Sequence, residues 1–189
     1  MNLFHRWYCK SDRWRDAMQQ HILPGVLGSV DLGDRVLEIG PGPGVTTDWL
    51  RMRVPKITAV EIDHKLAQLL TQRLVGTNVT VLEGDATALE LPDSSFSSAV
   101  SFTMLHHVPS PELQDRLLGE AYRVLRPGGL FIGSDSTPSL MWNIYHIFDT
   151  RTPVDPATFD KRLAAAGFSD VSVHARASGG FSFRARKPV

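Results

Sequence analysis

Short apolar runs alternate with amphipathic stretches along this chain. Five runs have the length and β-branched content of strands, at 36–39 (VLEI), 56–60 (KITAV), 79–83 (VTVLE), 97–102 (SSAVSF) and 130–134 (LFIGS). Helical periodicity covers about 11–29, 45–52, 64–74, 112–125 and 157–166. Strands joined through crossover helices pair in parallel, so the pattern predicts an α/β fold with a mostly parallel sheet between helical layers. Near the end the pattern changes: VSVHA and FSFRA are separated only by RASGG, too short for a crossover and long enough for a hairpin. The sheet is therefore expected to finish in an antiparallel pair.

No low-complexity linker divides residues 1–189, and 42% hydrophobic content over that length suffices for one core but not comfortably for two, so a single domain is expected. Residues 1–30 read as a helical cover. The segment 135–156, rich in Pro, Ser and Thr but interrupted by LMWNIYHIF, reads as an insertion over the sheet. Lys plus Arg equals Asp plus Glu at 20 each, with no block of like charge, so nucleic acid is not an expected partner. Cys9 is the one cysteine, which excludes an internal disulfide and a cysteine-cluster metal site; no metal is expected. With no apolar stretch resembling a signal peptide or a membrane span of about 20 residues, a cytoplasmic protein is the expectation.

The segment VLEIGPGPG, residues 36–44, sets three glycines and two prolines directly behind a strand. A strand that ends in glycines and runs into a helix lets a ligand approach the backbone, and the helix start beyond it offers free N–H groups. Gly40, Gly42 and Gly44 fit that use. About 20 residues on, Glu61 in AVEID stands near the end of the second strand, placed to accept ribose hydroxyls. Asp63 is a second acidic candidate, although it suits a helix N-cap before HKLAQLL equally well. A dinucleotide fingerprint would require glycine at position 45, where the chain has Val45, so a nicotinamide dehydrogenase is disfavoured.

VLEIGPGPG, AVEID, LEGDATALELPDSSFSSAVSFTMLHHVP and EAYRVLRPGG together resemble the successive motifs of class I S-adenosylmethionine-dependent methyltransferases. The likeness is to the small-molecule branch related to quinone-biosynthesis enzymes, spans about 34–134, and extends to FDKRLAAAGFSDVSV. It implies a Rossmann-like three-layer sandwich with a seven-stranded sheet, and S-adenosylmethionine as cofactor with S-adenosylhomocysteine as product. Carried onto this chain, the resemblance puts Gly40, Gly42 and Gly44 under the methionine portion and Glu61 on the ribose. It puts Asp85 on the adenine amino group, and the Ala86 N–H on a ring nitrogen. Both adenine contacts make physical sense, since a carboxylate accepts from an amino donor and an amide N–H donates to a ring acceptor. Ile62 would lie on the adenine face and Phe102 would close over the cofactor, plain core packing being the alternative for both. The chain departs from the family pattern at Ser97, where an aspartate is common.

Methyl transfer from a sulfonium is an in-line displacement that needs chiefly alignment and desolvation. A base is optional, and LHHVP offers His106 and His107 at the carboxyl edge of the fourth strand, where open α/β sheets bind ligands. Imidazole titrates near pH 6.5 and can accept a proton at neutrality. Adjacent side chains diverge, so one of the two is expected to face the pocket. Aromatic residues in the two covers, Trp7, Tyr8, Trp14, Trp142, Tyr145 and Phe148, could line an apolar pocket for a small acceptor. Two alternatives stand beside this reading. LEIGPGPG followed by VEID also resembles the rRNA adenine dimethylases, but where those carry an N-[IL]-P-[YF] base clamp this chain has Ser101, Phe102, Thr103 and Met104. A non-catalytic S-adenosylmethionine-binding module would carry the same cofactor motifs.

Overall fold

The computed structural model describes residues 11–138, 151–176 and 179–189. Seven strands form one sheet: β1 (Arg35–Ile39), β2 (Lys56–Glu61), β3 (Val79–Glu83), β4 (Phe96–Phe102), β5 (Leu125–Asp135), β6 (Ser169–Ala175) and β7 (Phe181–Arg186). Their order is β3-β2-β1-β4-β5-β7-β6, parallel from β3 to β5 and antiparallel at β7. The expected hairpin is present, and the expected seven-stranded α/β sandwich is the fold. β5 begins at Leu125, five residues before the expected 130, because Leu125 already pairs with Phe96; the RPGG stretch bulges between that pair and the next, Ser98 with Leu130.

The first helical stretch is divided into α1 (Asp12–Ala17), a π turn (Met18–Ile22) and α2 (Leu23–Leu27). Pro24 has no N–H for the carbonyl four residues back and its ring crowds that group, so the chain widens and the Leu23 N–H donates to the Met18 carbonyl. The remaining helices are α3 (Val45–Leu50), α4 (His64–Arg73), α5 (Pro111–Val124) and α6 (Pro156–Ala165). Side chains begin most of them: Asp63 accepts from Leu66, Ser110 from Leu113 and Asp155 from Ala157. Asp63 thus takes the N-cap role. α3 is different, since it starts at Gly44 in a left-handed conformation with no side-chain cap.

Alternation along β1 sends neighbouring residues to opposite faces. Leu37 and Ile39 join a core with Phe96, Phe131, Phe159 and Phe183, beneath Leu117 of α5 and Leu163 of α6. Val36 joins the other core with Ile57, Val100 and Ile132, beneath Met18, Leu23, Trp49 and Leu50. Both faces being covered, the central strands read as nearly continuous apolar runs.

Ser97, the departure from the family pattern, ties the base of the sheet together. Its hydroxyl accepts from the Arg35 N–H at 3.0 Å and lies 2.8 Å from the Leu32 carbonyl, to which it donates. The position is structural and lies at the opposite end of β4 from the carboxyl edge. Ser97→Ala is expected to leave the Arg35 amide without this partner and to lower stability by about 1 kcal/mol, read by urea denaturation, with no change in ligand affinity.

Candidate active site

The strand order reverses between β1 and β4, and open α/β sheets bind ligands at the carboxyl side of such a switch point. A cavity of about 290 Å³ lies there. Its floor is the glycine turn and its sides include Glu61, Ile62, Asp85, Ala86, Phe102, His107, Trp14 and Met18.

Each glycine of the turn has positive φ, at +68° for Gly40, +53° for Gly42 and +88° for Gly44. A Cβ on Gly42 would meet nothing within 4 Å, so the bare backbone there faces open space, whereas one on Gly44 would fall 2.3 Å from the Arg73 guanidinium. Gly44 thus admits a neighbouring helix. From β2, the Glu61 carboxylate accepts from the Gly42 N–H and from the Asp63 N–H, both at 2.9 Å. Glu61 is 6% exposed, and burial raises its pKa against the pull of those two donors.

The other predicted cofactor residues also line the cavity. Ile62 is 70% exposed, so it belongs to the rim and core packing does not account for it. Asp85 is exposed at the wall, one oxygen accepting from the Thr87 N–H at 2.8 Å. Ala86 is half-buried beside it. Phe102 is buried, lining the cavity while also packing in the second core.

The two histidines part company. His107 lines the cavity. His106 is 2% exposed and is absent from the lining; its Nδ1 and its backbone N–H both bond the buried Asp135 carboxylate. The same short helical turn, Leu105–His107, is anchored by Gln114, which donates to the Leu105 carbonyl at 3.0 Å, and by Thr152, whose N–H donates to the His106 carbonyl at 2.8 Å. Trp14 is the one predicted cover aromatic inside the described residues; Trp7, Tyr8, Trp142, Tyr145 and Phe148 lie outside them.

Two features were not singled out from sequence. Thr103, at the cavity wall, has φ +51°, an uncommon conformation for a β-branched residue. Glu38, two residues before the turn on the Val36 face, is 2% exposed and neither carboxyl oxygen makes a hydrogen bond. Burial pushes its pKa up to about 8, and the negative charges of Asp48 and Glu61 add to the rise. The nearby Thr47 hydroxyl opposes it without completing a hydrogen bond.

The cavity at this switch point is floored by a turn with glycine at three of its five positions. Residues 37–133, 97 of the 189, match the methyltransferase domain family, and the chain belongs to that family of S-adenosylmethionine-dependent enzymes. An uncharacterized methyltransferase of Mycobacterium tuberculosis is 32% identical over 120 residues, 62% of this chain and 59% of that protein. A Haloarcula marismortui protein carrying the name ribosomal RNA small subunit methyltransferase A is 34% identical over 151 residues, 76% of this chain and 46% of its own length. The chain thus spans less than two thirds of the length of these curated relatives. Among solved structures, an S-adenosylmethionine-dependent methyltransferase from Archaeoglobus fulgidus superposes with TM-score 0.76 at 19% identity, over 98% of each chain. One from Aquifex aeolicus gives 0.75 at 19%, again over 98% of each. At such identity the likeness is one of fold. Among the described residues no helix is long and apolar enough to cross a membrane.

Glu38 generates a pH prediction. Between its unfolded value of 4.5 and its folded value of about 8, the folded carboxyl holds a proton that the unfolded one has lost. Stability therefore falls as pH rises through that window, by up to about 1.4 kcal/mol per pH unit, and levels off above it. Glu38→Gln removes the linkage, so its stability advantage over the parent chain should widen between about pH 5 and 8 in denaturant titrations. A difference independent of pH would show that the carboxyl ionises normally in the fold.

Proposed function

We propose that this chain transfers a methyl group from S-adenosylmethionine to a small apolar or aromatic acceptor. The observation that carries the reading is the buried Glu61 carboxylate in the wall of a cavity whose floor, at Gly42, is bare backbone facing open space. A carboxylate there suits a ribose diol, and a floor with glycine at three of five positions suits close backbone approach.

In this reading Gly40, Gly42 and Gly44 underlie the methionine portion, and Glu61 accepts from the ribose hydroxyls with lone pairs left over from Gly42 and Asp63. Exposed Ile62 offers an apolar surface to the adenine ring. Asp85 accepts from the adenine amino group with the capacity its Thr87 contact leaves, the Ala86 N–H donates to the ring, and Phe102 closes the far wall. When bound, the cofactor supplies an electrophilic methyl group on a sulfonium. The protein's own share is alignment and exclusion of water by Trp14, Met18, Met104, Leu113 and Leu117, all at the cavity. His107 takes or orients the acceptor's proton. His106 acts beneath it, held by Asp135 so that the turn carrying His107 keeps its place.

RNA methylation is the second reading, favoured by the names of several relatives. Against it stand the formal net charge of +0 and the sequence Ser101, Phe102, Thr103, Met104 in place of a base clamp. Turnover to S-adenosylhomocysteine with a panel of small phenols, amines and carbon acids, set beside transcribed ribosomal RNA, separates the two.

Calorimetry should detect S-adenosylhomocysteine binding that Glu61→Ala weakens by about 1–3 kcal/mol. Tight binding of NADH with none of S-adenosylhomocysteine would overturn the cofactor assignment. Once an acceptor is found, His107→Ala should lower turnover by about 10²–10⁴-fold if that acceptor must lose a proton, with cofactor affinity kept. His106→Ala should instead lower the melting temperature, because it removes the imidazole from the buried Asp135 carboxylate and leaves it the backbone N–H groups of His106 and Ser136.

A further inference from the structure

The glycine turn is a thin wall. Gly42, Pro43, Val45 and Leu66 line the cavity on one side and also a second hollow on the other, between the turn, α4 and Arg15 of α1. Backbone with space on both sides, and no side chains of its own at three positions, needs other groups to hold it. Two do so, and they carry opposite charge. On the cavity side the Glu61 carboxylate accepts from the Gly42 N–H at 2.9 Å. On the outer side Arg73, the last residue of α4, donates through Nη2 to the Pro43 carbonyl at 3.2 Å and more weakly toward the Gly44 carbonyl at 3.5 Å. Its Nη1 is fixed by both oxygens of Asp48 in α3, at 2.8 and 2.6 Å. Asp48 is steadied in turn by Arg51 at 3.1 Å. The left-handed Gly44 is what lets the guanidinium come this close.

We infer that Arg73 is a positioning residue for the cofactor, fixing from behind the stretch of turn on which the amino-acid end of S-adenosylmethionine rests. This rests on the reading of the turn given under the proposed function. An exposed ion pair contributes little to global stability, and the Arg73 side chain is 43% exposed. Its contacts nevertheless fall on carbonyls of the turn, so its removal acts locally: Pro43 and Gly44 lose their outer tether while the Glu61 end of the cavity is untouched. The guanidinium fork is needed because one group must reach a carboxylate and a carbonyl together, which a lysine ammonium on its flexible stem does less well.

The test compares two probes on the intact chain by calorimetry: S-adenosylhomocysteine, which has the amino-acid end, and 5′-methylthioadenosine, which lacks it. Arg73→Met should weaken S-adenosylhomocysteine by about tenfold or more, because the untethered turn must then be ordered on binding. It should leave 5′-methylthioadenosine affinity and the melting temperature essentially unchanged. Arg73→Lys should fall between the two, and serves as the variant of record if the methionine substitution does not fold. Unchanged affinity for both probes, or an equal loss for both, would overturn the inference, the latter because a general loosening of the fold predicts it. A parent chain that binds 5′-methylthioadenosine but not S-adenosylhomocysteine, or neither, would overturn the reading of the turn itself.

Discussion

A turn with glycine at three of its five positions has few side chains of its own with which to hold its path. The turn from Gly40 to Gly44 meets that constraint with groups borrowed from its surroundings. Met104, from the loop after β4, lies where a Cβ on Gly40 would be, 2.3 Å from its Cγ. Glu61 reaches in from β2, and Leu70 of α4 lies against Gly44. These neighbours can reach the turn only because β1 is flanked by β2 and β4 in the sheet, so the strand order is what makes the site possible. The missing cap on α3 follows from the same constraint, since a capping side chain at position 44 would collide with Arg73 and stand in the way of the turn's own path.

Placing acidic groups around such a turn has an energetic consequence. Glu38 and Glu61 are both buried and both shifted toward the protonated form, chiefly by desolvation, and Glu61 adds to the rise at Glu38. Glu61 is at least paired with two backbone donors; Glu38 has none. A core built for stability alone would replace Glu38 with an apolar residue, because an unpaired buried carboxyl is destabilising. Thr103 in a left-handed conformation adds backbone strain at the same cavity. Unfavourable features that cluster at one end of a sheet, while the two apolar cores remain well filled, are the arrangement expected when stability has been traded for binding.

Much of this was legible in the chain itself. Strands buried on both faces show as apolar runs, and the hairpin was visible because RASGG leaves no room for a helix. The turn and Glu61 could be read because glycine spacing and a carboxylate at a strand end are local signals. What escaped notice depends on distant contacts. Glu38 looks like an ordinary polar position in a strand until α3 is seen to cover its face. Which histidine reaches the cavity is decided by Asp135, far along the chain, and nothing in LHHVP discloses it. Arg73 belongs to no motif, and its contact with Pro43 appears only when α4 lies beside the turn. The early start of β5 was hidden by Pro127 and two glycines, residues that ordinarily interrupt strands.

The same division explains why family membership fixes the cofactor more firmly than the acceptor. The matched span, 37–133, contains the turn, Glu61, Ile62, Asp85, Ala86 and Phe102, all on the cofactor side of the reading. Trp14 and Met18, which form part of the remaining cavity wall, lie before it. They reach the cavity from a helix widened at Met18–Ile22 by Pro24, and a widened turn redirects every side chain that precedes it. In the reading proposed above, the acceptor wall therefore depends on a feature of the N-terminal helix that lies before the matched span, 37–133.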